Sequence, residues 1–175
     1  MRALGPGSVS SFLKIILDVV FAALWIGVGA LALIALAALL LGSNPEMLAN
    51  VRFNGEAATV AERGPVLAAG LAAAAFYLTG VLVIVGVLRR IFATLTAGDP
   101  FHPENVARLR LIGLMLAGLE LGRYAVWALG AWLPGASQRE PGVGVTAWFS
   151  VLVVFVLAEV FREGARLRRE AELTI

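Results

Sequence analysis

The sequence predicts an all-α integral membrane protein with four transmembrane helices. Of its 175 residues, 60% are hydrophobic, and the mean hydropathy is +0.89. Four apolar runs each reach the roughly 20 residues that a helix needs to cross a bilayer, and none alternates like a transmembrane β-strand. Only helices or closed barrels satisfy every backbone group in hydrocarbon, so the runs are interpreted as helices. The predicted spans are 14–41, 65–88, 109–133 and 145–161, in one domain covering 1–175.

The first span is interpreted as a retained helix rather than a cleaved signal peptide. Arg2 and Lys14 precede its apolar stretch, as basic residues do in a signal peptide. However, the run 15–41 is much longer than the signal-peptide core of about 7–15 residues. Asp18 lies about one turn inside this helix, where we expect a basic neighbour such as Lys14 to neutralise it.

The distribution of Lys and Arg predicts the orientation of the four crossings. The links on one side of the membrane carry only Arg52, Arg63 and Arg139. By the positive-inside rule, the other side is cytoplasmic and contains both termini, the link 89–108 and a C-terminal helix end, 162–175. The basic residues of that side are Arg2, Lys14, Arg89, Arg90, Arg108, Arg110, Arg162, Arg166, Arg168 and Arg169.

The two links on the opposite side differ in character. The first, 42–64, contains Asn54-Gly55 between β-tolerant segments, which is a signal for a type I′ turn. A short β-hairpin-like loop is therefore predicted, acting either as a connector or as a sensing element. The second, 134–144, is rich in Pro and Gly and predicts an irregular turn.

The cytoplasmic link carries the clearest local signals. Residues 89–95 can extend the second helix, and Gly98 can cap it. Pro103 suits the first position of the third helix, and Glu104 suits the dipole at its N-terminus. His102 is the only histidine, so it is interpreted as a turn residue at or beside the N-cap rather than as a metal ligand or pH sensor.

The third span contains two charges and two spaced glycines. Glu120 and Arg123 lie near its middle, where a charge costs about 2.5–3.5 kcal/mol on insertion scales. Their i, i+3 spacing lets them meet on one face, either as a structural pair or as a site that handles ions, protons or a ligand. Gly118 and Gly122 predict a close packing face, within one protomer or in a homo-oligomer.

Two segments resemble the signatures of a known family. Residues 88–113 (LRRIFATLTAGDPFHPENVARLRLIG) resemble the central signature of the bacterial domain-of-unknown-function family 2975, and 158–175 (AEVFREGARLRREAELTI) resemble its closing signature. The similarity extends over nearly the whole chain. It implies a small inner-membrane protein without enzyme activity. It also implies a gene neighbour that encodes a small helix-turn-helix regulator of the Xre type.

The residues themselves contain no catalytic pattern. There is no HExxH motif, phosphate-binding glycine loop or nucleophile elbow, and no cysteine, so neither an enzyme nor a cofactor is expected. The net charge of +2, without a basic stripe, also argues against direct nucleic-acid binding.

We therefore expect a regulatory membrane protein whose cytoplasmic face binds a soluble helix-turn-helix partner. A small transporter or channel subunit that uses Glu120 and Arg123 is the alternative. Charge pairs and turn signals place the docking face on 98–111 and 159–175. Its candidate residues are Asp99, Phe101, Glu104, Asn105, Arg108, Arg110, Glu159, Glu163, Arg166 and Glu170.

Overall fold

Four long helices account for most of the chain. The computed structural model describes residues 9–42, 60–132 and 142–173, and these ranges contain no β-strand. The helices are α1 (Val9–Gly42), α2 (Val60–Thr96), α3 (Pro103–Gly130) and α4 (Val145–Glu172). By length and composition each could cross a membrane, over Phe12–Ala37, Ala69–Thr96, Pro103–Gly130 and Val145–Ala171. The predicted all-α architecture with four candidate spans is confirmed.

The helices extend beyond the predicted spans. Most of the predicted link 89–108 is helical, and only residues 97–102 separate α2 from α3. The predicted hairpin around Asn54-Gly55 lies outside the described residues. Val60, which the sequence placed in its second segment, is instead the first residue of α2. At its C-terminal end α2 continues past the apolar stretch to Thr96, and at its N-terminal end it extends through Gly64 and Pro65 to Val60.

The helices pack mainly on their neighbours in the chain. The extensive contacts join α3 to α4, α1 to α2 and α2 to α3. The hydrophobic core lies where the C-terminal part of α2, the N-terminal part of α3 and the C-terminal part of α4 meet. We call this the basic end because Arg89, Arg90, Arg108 and Arg110 surround it. Its buried residues are Val87, Ile91, Leu109, Ile112 and Ala158.

Helix α1 is peripheral to this core. None of its described side chains, residues 12–37, is buried, and Trp25 and Ile26 are 56% and 74% exposed. Its attachment to α2 includes an ion pair at the basic end between Asp18 Oδ1 and Arg89 Nε at 2.5 Å. Exposed apolar side chains suit a lipid environment, because lipid tails are as apolar as the side chains themselves.

Glycines allow close helix contacts at specific points. A Cβ on Gly122 would overlap the ring of Phe76, and one on Gly80 would lie 2.5 Å from Leu119 Cδ2. Among the described residues, Gly118 has no such neighbour within 4 Å. The packing of α2 against α3 therefore uses Gly122 and Gly80. Gly118 does not share in this contact within one protomer, and its role between two protomers stays a prediction.

Candidate functional site

Glu120 and Arg123 are joined inside the candidate span of α3. Arg123 Nη2 donates to Glu120 Oε1 at 2.6 Å, and Arg123 Nε donates to Oε2 at 3.2 Å. The Tyr124 hydroxyl donates to the same Oε1 at 2.9 Å. The Glu120 side chain is 9% exposed and that of Arg123 is 43% exposed. We call these three residues the polar cluster. A carboxylate with three donors is better compensated for burial than an isolated charge.

The polar cluster also holds the start of α4. Arg123 Nη2 donates to the carbonyl oxygen of Gly142 at 2.9 Å, and the Gly144 N–H donates to the Tyr124 hydroxyl at 3.3 Å. Gly144 is the N-cap of α4 and has no side chain with which to cap it. The first N–H groups of a helix have no partner within the helix and need acceptors from elsewhere. The polar cluster supplies them to the segment that leads into α4.

Close approach explains the glycine at the N-cap. A Cβ on Gly144 would overlap the Glu120 carboxylate and lie 3.2 Å from Arg123 Nη2. With glycine there, the carboxylate lies against the N-terminus of α4, where the helix dipole favours a negative charge. Sequence reasoning found Glu120 and Arg123 but missed Tyr124 and Gly144. The i, i+4 spacing of Tyr124 from Glu120 could have predicted their contact, because residues four apart share one face of a helix.

At the basic end, the turn between α2 and α3 has a defined cap. Gly98 has φ of +86°, a conformation that strongly favours glycine. Its N–H donates to Leu95 O at 3.1 Å, and the Asp99 N–H donates to Thr94 O at 3.0 Å. This pair of bonds is a Schellman motif. The predicted glycine cap is confirmed, and it turns the chain toward α3.

The start of α3 also follows the sequence prediction. Pro103 is the first residue of the helix, and His102 is its N-cap. The His102 Nδ1 atom accepts a hydrogen bond from the Glu104 N–H at 3.3 Å. Imidazole thus performs the role for which serine, threonine or aspartate is usual.

Asn105 lies inside the turn and not on a docking face. It is completely buried. Its Nδ2 donates to Thr94 Oγ1 at 2.7 Å and to Pro100 O at 3.2 Å, and its Oδ1 accepts from Arg108 Nη1 at 3.0 Å. The side chain satisfies polar groups that the tight turn would otherwise leave unpaired. The sequence predicted Asn105 as a residue of the exposed docking face, and its complete burial corrects that prediction.

The C-terminal part of α4 covers this turn. The rings of Phe101 and Phe161 lie 5.6 Å apart, and a Cβ on Gly164 would be 2.5 Å from Phe101 Cε1. Arg168 donates a hydrogen bond to Asp99. Arg110 Nη2 lies 2.8 Å from Glu159 Oε1. Aromatic packing, one ion pair from the turn to α4 and one ion pair between α3 and α4 therefore hold the segments 98–111 and 159–173 together.

Most predicted docking residues lie on the surface but form internal pairs. Arg166 Nη2 is 2.7 Å from Glu163, and Arg166 Nε is 3.6 Å from Glu170. Glu104 pairs with Arg108 at 2.5 Å and keeps 64% of its side chain exposed. The surface is therefore an ordered array of both charges. We call it the charged face, made of Asp99, Phe101, Glu104, Arg108, Arg110, Glu159, Glu163, Arg166 and Glu170.

The structure gives Asp18 a different partner from the one that the sequence predicted. Lys14, four residues away, was expected to neutralise it, but the carboxylate pairs with Arg89 of α2. Glu159 pairs with its neighbour Arg162 at 2.7 Å and with Arg110 of α3 at 2.8 Å. Helix packing brings these distant arginines closer than the spacing along one helix suggests.

Four apolar helices, a polar cluster within α3 and a charged face at the basic end define a small multi-pass membrane protein. Residues 51–175 match the model of a family described as "Protein of unknown function (DUF2975)", so the chain belongs to that family. The match covers α2, α3 and α4 and begins after α1. Among curated proteins and solved structures, none matches the chain.

Proposed function

We propose that this protein is a non-enzymatic component of the bacterial inner membrane that holds a soluble transcription regulator at its charged face. In this proposal both termini and the basic end are cytoplasmic, as the arginine distribution favours. The partner is a small helix-turn-helix protein of the Xre type, the neighbour that the family resemblance implies.

One observation carries the proposal. The two segments that resemble the family signatures, 88–113 and 158–175, are distant in sequence but form one surface. The Asp99–Arg168 bond and the Phe101–Phe161 contact join them. A surface held in one geometry loses little conformational freedom when a partner binds, which favours recognition.

The chemistry of the charged face fits a protein better than DNA. Acidic and basic groups alternate across it, with Glu104, Glu163, Arg166 and Glu170 at least half exposed. DNA binding draws its affinity from clustered cations that neutralise phosphates. A surface with interspersed positive and negative charges instead favours binding of a partner with complementary charges and disfavours binding of others. The helix-turn-helix partner would supply the DNA contact.

The test is recovery of the regulator with tagged protein from native membranes. Deleting residues 167–175 should release the partner while insertion into the membrane is kept. Because that deletion also removes Arg168, a second variant is needed that keeps the fold. Glu163→Arg and Glu170→Arg combined with Arg166→Glu retain both ion pairs of Arg166 but reverse the charges presented to a partner.

We expect the charge-reversed variant to insert normally, lose the regulator and change transcription of its target genes. Arg2→Gln with Lys14→Gln serves as a control that leaves the charged face intact. Docking at this face would be contradicted if the deletion of 167–175 and the charge-reversed variant, each at normal protein level, both recovered the regulator and left transcription normal.

Transport through the polar cluster is the second candidate function. An acid and a base within a span are the usual components of an ion or proton pathway. Against this, Arg123 and Tyr124 are bonded to the backbone of Gly142 and Gly144, which gives both a structural task. Replacing Glu120 and Arg123 together by Gln should abolish substrate or proton flux in proteoliposomes if transport is the function, and should leave regulator recovery unchanged if docking is.

A further inference from the structure

A cleft at the basic end separates α1 from α2. Its volume is about 320 Å³, and its lining includes Lys14, Asp18, Phe21, Arg89 and Arg90. The charged face lies elsewhere, on α3 and α4 with the turn before α3. We propose that this cleft binds the phosphate of an anionic phospholipid headgroup.

The charges in the cleft favour an anion. Three cations face one carboxylate, and Asp18 neutralises Arg89 through a contact of 2.5 Å. Within the part of the chain that the structure describes, Lys14 and Arg90 have no ion-pair partner. Both are exposed. A phosphodiester brings one negative charge and acceptor oxygens that these two cations can bind.

Arg89 is held in place before any ligand arrives. Its guanidinium carbon lies 4.3 Å from the centre of the Phe21 ring, while Asp18 accepts its Nε–H. The remaining guanidinium nitrogens are not used by that bond. A cation fixed by stacking and by an ion pair loses little freedom on binding, which favours affinity.

The position of the cleft along the helices favours a lipid as the source of the phosphate. Lys14 lies near the start of the candidate span Phe12–Ala37, and Arg89 and Arg90 follow the apolar run of α2. Basic pockets between helices at this level bind phospholipid headgroups. Phe21 and the small residues Gly86 and Ala93 add apolar lining for the glycerol and first acyl carbons.

The proposal is tested with the full chain in nanodiscs of phosphatidylcholine that contain increasing phosphatidylglycerol. The readout is retention of phosphatidylglycerol after release from the nanodisc, measured by native mass spectrometry. Lys14→Gln with Arg90→Gln should lower phosphatidylglycerol affinity by roughly fivefold per cation, or about 25-fold together. Arg162→Gln with Arg169→Gln removes the same charge from the basic end outside the cleft and should have little effect.

Three results would overturn the proposal. The first is equal loss in the two double variants, which would indicate a general attraction of the basic end to anionic lipid. The second is unchanged retention in Lys14→Gln with Arg90→Gln. The third is displacement of the lipid by excess inorganic phosphate, which would make a free anion the occupant. Asp18→Asn provides a further check, because its amide oxygen can still accept the Arg89 Nε–H while the negative charge is lost from the described lining of the cleft. Phosphatidylglycerol retention should therefore rise, and weaker retention would contradict the proposal.

Discussion

Glu120 and Arg123 are joined by two hydrogen bonds, yet the glutamate is buried and the arginine is nearly half exposed. The arginine uses the same Nη2 nitrogen to bind Gly142 O, so the pair links α3 to the start of α4. Removing the arginine would leave a buried carboxylate with Tyr124 as its remaining side-chain donor. Removing the glutamate would leave the arginine without a counter-charge. The consequences can be measured separately.

We expect Glu120→Ala and Arg123→Ala each to lower thermal stability in detergent more than the double variant does. Either single change leaves an uncompensated charge within the span, whereas the double change removes both. The measurement is the midpoint of thermal unfolding for the four proteins of a double-mutant cycle. A double variant that loses the sum of the two single losses would show that the residues are not coupled.

Tyr124→Phe should destabilise the protein by about 1 kcal/mol. The hydroxyl donates to Glu120 and accepts from the Gly144 N–H, and the change leaves that backbone donor without its partner. Tyr77→Phe is the matched control, since that ring is 59% exposed on α2. Equal stability of the two variants would show that the Tyr124 hydroxyl does not hold the start of α4.

Gly98→Ala should destabilise the turn at the basic end by about 1–2 kcal/mol. The φ of +86° at this position places Cβ against the backbone in any L-residue. Gly118→Ala is the control because Gly118 lies within α3, and no atom of the described residues lies within 4 Å of a Cβ placed there. That change should be neutral or stabilising by up to about 1 kcal/mol. Chemical denaturation in detergent micelles measures both, and a Gly98→Ala variant as stable as Gly118→Ala would contradict the left-handed cap.

Gly122→Ala should destabilise the contact between α2 and α3 by about 1–3 kcal/mol. The added Cβ would overlap the ring of Phe76, and packed helices accommodate extra volume poorly. Phe76→Leu in the same chain should restore part of the loss, because it removes the overlapping ring atoms. If Phe76→Leu rescued no stability while Gly118→Ala was again neutral, overlap with the Phe76 ring would not be the cause of the destabilisation by Gly122→Ala.

Reporter fusions should place both termini in the cytoplasm. A fluorescent protein fused after Ile175 should be active and alkaline phosphatase at the same point inactive, because alkaline phosphatase requires export. A cysteine introduced at Asn54 should react with a membrane-impermeant reagent added from outside. Phosphatase activity after Ile175, or an unreactive position 54 in intact cells, would rule out the orientation.

Local signals in the sequence were sufficient for the helices and their caps at the basic end. Gly98, His102 and Pro103 act within a turn or two of chain, so their roles follow from spacing and backbone preference alone. The i, i+3 pair of Glu120 and Arg123 is likewise a property of a single helix. Hydropathy predicted the four candidate spans, because helix length and apolar content decide whether a segment suits hydrocarbon.

Only the tertiary structure decided which groups meet across helices. Asp18 pairs with Arg89, 71 residues away, rather than with Lys14. Asn105 is buried among turn groups, although its position in sequence resembles that of its exposed neighbours. Gly144 lies against Glu120. Such contacts depend on the rotation and relative height of packed helices, and many arrangements of the same four spans satisfy hydropathy and local spacing equally well.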